Sequence, residues 1–176
     1  DTLKGSSKAD RIYGHSESGA GDDNAADILI GRSGNDQLYG QGGDDFLDGG
    51  AGDDQLYGGD GIDQLFGEAG DDALYGGAGN DQLYGEQGHD VLSGEGGSDW
   101  LYGGADGDVL YGHGISTAPD DGADDILYGD FGAGHIGAQD RMGGDAGNDT
   151  LLGELGNDFL AGESGDDEVF GGGGDD

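Results

Sequence analysis

Aspartates spaced nine residues apart are the side chains whose pattern points most directly to chemistry. The spacing is broken at three places, and an apolar side chain follows each aspartate but the last by two residues. The series is Asp1, Asp10, Asp27, Asp36, Asp45, Asp54, Asp63, Asp72, Asp81, Asp90, Asp99, Asp108, Asp125, Asp140, Asp149, Asp158, Asp167 and Asp176. Carboxylate oxygens beside glycine-rich backbone are ligands that hard cations such as calcium prefer. The spacing therefore indicates a row of cation sites.

The charge of the chain supports a bound cation. Its 176 residues include 40 Asp and Glu but only 5 Lys and Arg, which gives a formal net charge of −35. Because carboxylates repel one another in a compact state, we expect cations to form part of the fold. The few basic residues argue against nucleic-acid binding. No apolar run reaches the roughly 18 residues that would predict a membrane span.

The aspartates belong to a nine-residue unit, which is G-x-x-G-x-D-x-L-Y when written from its first glycine. Nine copies run head to tail from Gly31 to Tyr111. Glycine at the first and fourth places permits positive φ and close approach of backbones. The Asn and Asp of the fifth place also tolerate left-handed geometry. We therefore expect a turn over the first six places, followed by a three-residue strand that buries the eighth side chain.

The unit resembles the nonapeptide of the RTX (repeats-in-toxin, haemolysin-type) proteins, G-G-x-G-x-D-x-U-x, in which U is a large apolar residue. Copies such as GGAGDDQLY at Gly49–Tyr57 and GGAGNDQLY at Gly76–Tyr84 carry the resemblance. It implies an all-β fold, a right-handed parallel β-roll with two nonapeptide repeats per coil and calcium held between successive turns. Eighteen periods would then form about nine coils, with a length of about 43 Å at a strand spacing of roughly 4.8 Å.

The resemblance also implies which residues hold calcium. The expected side-chain ligands are Asp36, Asp45, Asp54, Asp63, Asp72, Asp81, Asp90, Asp99, Asp108, Asp149, Asp158, Asp167 and Asp176. Backbone carbonyls of the glycine turns would complete each site, and the fourth-place glycines of these turns are Gly34, Gly43, Gly52, Gly61, Gly70, Gly79, Gly88, Gly97, Gly147, Gly156, Gly165 and Gly174. Oxygen ligands favour calcium over zinc, and carbonyls in flexible turns favour it over magnesium. We expect roughly 10–16 calcium ions per chain.

Some turns are expected to bind calcium more weakly, because another residue replaces the fourth-place glycine. The aspartates of these weaker turns are Asp10, Asp27, Asp125 and Asp140, which follow Lys8, Ala25, Ala123 and Ala138. Asp106 makes the same replacement before Asp108.

Three insertions interrupt the period. We expect residues 1–176 to form one roll that is a fragment of a larger protein, with loop insertions near residues 15–24, 113–122 and 130–138. The first two align with each other at an offset of 98 residues, which suggests duplication of a block. We interpret His15, His113 and His135 as loop residues, because nothing in their spacing makes them converge on zinc. Acidic residues of the same loops could form an extra calcium or contact site.

The eight tyrosines all occupy the ninth place, so tyrosines of alternate repeats should form ladders on the outside of the roll. Such ladders stabilise sheets, and they could alternatively offer a platform for sugar rings or a partner. Carboxylate pairs are too common in this chain to single out a catalytic pair, so we expect no enzyme activity from it.

The function that the resemblance implies is that of a calcium-binding structural module. It would belong to a large secreted or cell-surface bacterial protein, stay extended during type I secretion and fold on calcium outside the cell. One alternative is the C-terminal accessory tail of a type I-secreted protease, lipase or polysaccharide epimerase. The other is an adhesin segment that binds polysaccharide or a cell surface.

Overall fold

The computed structural model describes residues 2–14, 24–113, 123–130 and 139–176. The expected insertions therefore lie almost entirely outside the described residues, as do His15 and His135. None of the described residues forms a helix long and apolar enough to cross a membrane.

Seventeen strands make up the described chain. They are β1 Thr2–Lys4, β2 Arg11–Tyr13, β3 Ile28–Ser33, β4 Gln37–Gly42, β5 Phe46–Ala51, β6 Gln55–Asp60, β7 Gln64–Ala69, β8 Ala73–Ala78, β9 Gln82–Gln87, β10 Val91–Gly96, β11 Trp100–Ala105, β12 Val109–Tyr111, β13 Ile126–Asp130, β14 Arg141–Gly143, β15 Thr150–Leu152, β16 Phe159–Ala161 and β17 Glu168–Phe170. Odd-numbered strands form a nine-stranded sheet in chain order, and even-numbered strands form an eight-stranded sheet. Paired strands are parallel, as β5 with β7 and β6 with β8. The prediction of an all-β parallel roll with two repeats per coil is confirmed.

The apolar side chains of the eighth place set the register. Leu56 pairs with Leu38 on one side and with Leu74 on the other, at intervals of 18 residues. Across the insertions the same places still pair, as Leu101 with Leu127 and Leu110 with Met142. The extra residues therefore leave the strand alignment unchanged, because the register follows the apolar position and not the length of the connection.

The core is a double row of these eighth-place side chains, one row from each sheet. Leu29 to Leu110 at this place are 0% exposed, as are Leu127 and Leu151. The expectation of one buried apolar side chain per repeat is confirmed for these coils. The row opens towards the last strand, β17, where Val169 is 47% exposed.

Strands of the central coils are longer than predicted. Each of β3 to β11 has six residues, running from the seventh place to the third place of the next repeat. The turn is therefore confined to the fourth to sixth places. The first place therefore lies inside the strand. It is occupied by glycine because neighbouring coils approach too closely there for a side chain. A methyl group on Gly31, for example, would lie 2.5 Å from the carbonyl oxygen of Gly49.

Left-handed backbone occurs at the second and fourth places of the repeat. Arg32, Gln41 and Glu86 at the second place have φ of 84°, 80° and 79°. The fourth-place glycines of the central coils also have positive φ, as for Gly52 at 129°. The fifth-place Asn and Asp are not among the positive-φ residues of the described chain.

Replacing Glu86 by glycine is expected to stabilise the folded protein by about 1 kcal/mol. Left-handed backbone costs a residue with a Cβ roughly 1–2 kcal/mol. Glycine avoids this cost, but its greater freedom in the unfolded chain offsets part of the gain in stability. The measurement is denaturant unfolding of the calcium-loaded protein. Glu168→Gly removes the same charge from an extended position in β17 and should lower the stability. Equal effects of the two changes would contradict the backbone explanation.

Candidate metal sites

Sixth-place aspartates link each coil to the next through one carboxylate oxygen. The peptide N–H of Asp36 donates to Oδ1 of Asp54 at 2.6 Å, and that of Asp54 donates to Oδ1 of Asp72 at 2.7 Å. The same bond crosses an insertion, since the N–H of Asp99 donates to Oδ1 of Asp125 at 2.8 Å. Sequence analysis missed this bond, although the recurrence of aspartate at a fixed spacing was its signal.

The second carboxylate oxygen, Oδ2, is buried without a hydrogen-bond partner in six of these residues. They are Asp36, Asp54, Asp63, Asp72, Asp81 and Asp90. Each of these side chains is at most 2% exposed. A buried carboxylate oxygen without a partner is unfavourable unless a cation compensates it. These atoms are therefore the strongest structural indication of where ions bind.

A backbone carbonyl oxygen lies beside the same first-place glycine as the unpaired oxygen of Asp36, Asp63, Asp72, Asp81 and Asp90. A methyl group on Gly67 would lie 2.5 Å from Asp72 Oδ2 and 2.9 Å from the carbonyl oxygen of Gly85. At Gly76 the corresponding distances are 2.5 Å to Asp81 Oδ2 and 2.7 Å to the carbonyl oxygen of Gly94. Two oxygens from successive coils therefore converge where the chain has no side chain. This cradle fits a hard cation.

The fourth-place glycines, whose carbonyl oxygens the resemblance implies as calcium ligands, lie in the turns. Their carbonyl oxygens face the fourth-place glycine of the next coil, as the carbonyl oxygen of Gly34 faces Gly52. The carbonyls beside the unpaired oxygens come instead from first-place glycines, which sequence analysis did not name as ligands. The repetition of glycine at the first place was the available signal.

Side chains alone do not form a metal site in the part of the chain that the structure describes. No three His, Cys, Asp or Glu side chains come together there as a metal-binding group. Each cradle supplies carboxylate and carbonyl oxygens, so the remaining ligands must come from backbone or water. That ligand set suits calcium and not zinc, which prefers histidine and cysteine.

Burial shifts the titration of the central carboxylates strongly. It raises the pKa of Asp54, Asp63 and Asp72 to about 7 and that of Asp81 and Asp90 to about 6. The hydrogen bond from the preceding coil opposes part of this shift, and neighbouring carboxylates increase it at Asp54, Asp63 and Asp72. A cation beside Oδ2 would favour the charged form and reverse the shift.

Calcium-free protein is expected to become more ordered in acid. The pKa values of Asp54, Asp63 and Asp72 are about 7 in the folded protein and 3.8 ordinarily, so the folded form binds more protons between these values. Stability from this source is present below pH 3.8 and is lost as the pH rises through about 7. Circular dichroism of calcium-depleted protein from pH 7.5 to 4.5 should show increasing β-structure.

Protons and calcium should also compete for the same oxygens. Near pH 4.5, where the calcium-free chain is expected to be ordered with these carboxylates protonated, calcium binding should release protons. Calorimetry detects this release as a dependence of the measured heat on the ionisation enthalpy of the buffer. Binding heats that are identical in all buffers would contradict the assignment of these carboxylates to the metal site.

The aspartates of the expected weaker turns join the same hydrogen-bond ladder. The N–H groups of Asp27, Asp125 and Asp140 donate to Oδ1 of the aspartate in the next coil at 2.7–3.0 Å. The N–H of Asp10 also donates to Oδ1 of Asp36 at 2.7 Å, but its own Oδ2 accepts hydrogen bonds from Ser6. At Asp106 the backbone keeps the left-handed geometry of a fourth-place glycine, with φ of 74°.

Fifth-place residues form a second ladder on the outside of the turns. The N–H of Asp53 donates to Oδ1 of Asn35 at 3.2 Å, and that of Asp71 donates to Oδ1 of Asp53 at 3.2 Å. His89 continues it with a 2.9 Å bond to Asp71. The short Asn and Asp side chains are therefore used at this place because they cap the next turn.

Rings of the ninth place stack along the outer faces of both sheets. The ring centroids of Tyr13, Tyr39, Tyr57 and Tyr75 follow one another at 4.8–5.0 Å, with interplanar angles of at most 12°. The other sheet carries a matching ladder of Phe66, Tyr84, Tyr102 and Tyr128. The rings cover one another's faces and present their edges outwards, as expected of a ladder that stabilises the sheet.

Comparison with known families agrees with this geometry. The family model described as the RTX calcium-binding nonapeptide repeat matches residues 1–24, 22–56, 57–92, 84–114 and 143–176, which together make up most of the chain. A comparison with curated proteins gives no match. Nonapeptide repeats, parallel coils and buried carboxylates at the central turns thus coincide in one molecule, and the chain belongs to the RTX calcium-binding nonapeptide repeat family.

Proposed function

We propose that this chain is a structural module that folds when calcium binds, outside the cell, as part of a larger secreted or cell-surface protein. The observation that carries the proposal is the row of buried Oδ2 atoms without partners at successive turns. Proteins with such repeats are typically secreted by bacteria, which supports the location.

The proposed ligands are the sixth-place carboxylates and the glycine carbonyls of the adjacent turns. The central aspartates, from Asp36 to Asp108, and those from Asp149 to Asp176 would form the main sites. Roughly 10–16 ions per chain would offset most of the formal charge of −35. Asp27, Asp125 and Asp140 would contribute weaker sites, because alanine replaces the fourth-place glycine before each of them.

The module has no catalytic role in this proposal. Its carboxylates repeat in equivalent surroundings, as the bonds from Asp36 to Asp54 and from Asp54 to Asp72 illustrate. A catalytic pair would instead need two carboxylates whose surroundings drive their pKa values apart. The stacked rings also argue against sugar binding along the ladders, because their faces are already covered.

A calcium titration tests the proposal. Extracellular modules bind calcium with dissociation constants of about 10⁻⁴–10⁻³ M, far above cytosolic calcium. We therefore expect β-structure, followed by circular dichroism at pH 7.5, to develop cooperatively with a midpoint in this range. Folding at cytosolic, submicromolar calcium would contradict a role for calcium as the signal that the chain has left the cell.

A further inference from the structure

The turn before Asp10 satisfies its carboxylate in a way that the central turns do not. Oδ2 of Asp10 accepts hydrogen bonds from the peptide N–H of Ser6 at 2.5 Å and from the Ser6 hydroxyl at 2.8 Å. In the central turns the equivalent Oδ2, as in Asp36 and Asp54, is buried without a partner. Hydrogen-bond donors of the protein therefore contact Oδ2 of Asp10, whereas Oδ2 of Asp36 and Asp54 has no such donor.

The acceptor side of this turn is unchanged. A methyl group on Gly5 would lie 2.5 Å from the carbonyl oxygen of Gly31 and 2.9 Å from Asp10 Oδ2, whereas at Gly67 the carbonyl oxygen is at 2.9 Å and the carboxylate oxygen at 2.5 Å. The peptide N–H of Asp10 also donates to Oδ1 of Asp36 at 2.7 Å, as in every central coil. The turns differ in the donors, in the course of the backbone and in burial, since Asp10 is half-buried whereas Asp36 is buried.

Two sequence changes account for the donors. Ser6 stands at the second place and Lys8 at the fourth place, and neither belongs to the left-handed residues of the described chain. At the same places of the next coil, Arg32 and Gly34 have φ of 84° and 110°. Because the backbone takes another course, the Ser6 N–H can reach the carboxylate. The Ser6 hydrogen bonds and, to a smaller extent, the charge of Lys8 lower the pKa of Asp10.

We propose that the Asp10 turn is a metal-independent turn, in which the Ser6 N–H and hydroxyl take the place of a calcium ion. This inference rests on the proposed function, since it assumes that the central turns bind calcium. It assigns the second and fourth places as the residues that decide whether a turn takes an ion. Serine at the second place closes the turn by hydrogen bonding, whereas left-handed backbone at both places, as at Arg32 and Gly34, leaves it open for calcium.

The test converts this turn into a consensus turn and counts ions. The double variant Ser6→Gly with Lys8→Gly changes GSSKAD at residues 5–10 to the family pattern G-G-x-G-x-D. Native mass spectrometry at saturating calcium should find one more ion in this variant than in the unaltered chain. Glu86→Gly is the matched control, because it also introduces a second-place glycine but leaves the fourth-place Gly88 in place. The ion count of this control should not change.

Loss of the carboxylate gives a second readout that does not depend on forming a new site. Asp10→Asn should leave the ion count of the unaltered chain unchanged, whereas Asp54→Asn should lower it. A lower count in Asp10→Asn, or no gain in a folded double variant, would overturn the inference. Absence of calcium from the unaltered chain would instead overturn the proposed function, so the two failures are distinguishable.

Discussion

Calcium-depleted protein at neutral pH is expected to lose its β-structure and to regain it when calcium is returned. At 1 mM calcium and a dissociation constant of about 100 μM, each ion contributes about 1.4 kcal/mol by mass action. Roughly fifteen sites would together contribute about 20 kcal/mol, which exceeds the whole stability of an ordinary domain, about 5–15 kcal/mol. The net charge of −35 makes the metal-free roll less favourable still.

Far-ultraviolet circular dichroism and the hydrodynamic radius should both report this transition. Magnesium at the same concentration and sodium chloride at matched ionic strength are the controls. They separate specific coordination from simple screening of the carboxylates. A compact β-structure that persists in excess chelator at pH 7.5 would show that the buried carboxylates are stabilised in another way.

Replacing Gly67 by alanine is expected to remove one calcium site and to destabilise the folded protein by about 2–4 kcal/mol. The added methyl group would lie 2.5 Å from Asp72 Oδ2 and 2.9 Å from the carbonyl oxygen of Gly85, where the ion is proposed to bind. The estimate combines the lost ion with about 1–3 kcal/mol for overpacking. Gly67 is not among the left-handed glycines, so the backbone itself accepts alanine.

Gly143→Ala is the matched control for this substitution. A methyl group there would meet only Cδ1 of Tyr111 at 3.6 Å, which is an ordinary contact. Native mass spectrometry and denaturant unfolding at fixed calcium should distinguish the two variants. If Gly67→Ala kept the ion count and the stability of the unaltered chain, the site could not lie in the cradle beside Asp72.

Much of the fold could be predicted from the sequence because each repeat carries the same local information. The leucine of the eighth place, such as Leu56 or Leu74, has to be buried, and the fixed period requires every coil to bury it in the same way. The alternation of strands between two sheets came from the family resemblance, since a nine-residue period does not by itself state how many repeats form a coil.

What the sequence did not reveal depends on contacts between coils 18 residues apart. The bond from the Asp36 N–H to Asp54 Oδ1 and the approach of the Gly49 carbonyl to Gly31 exist only once the coils stack. Residue preferences describe one residue at a time, so they show only that the Asn and Asp of the fifth place tolerate left-handed backbone. Stacking instead requires it at the second place, where even Arg32 and Glu86 adopt it.

The number of calcium ions in the folded protein tests the central claim most directly. If successive turns each hold an ion between buried carboxylates and glycine carbonyls, metal analysis of the folded chain should find about a dozen ions or more. One or two ions per chain would mean that most of the buried carboxylates are neutralised by another means, and would contradict the account.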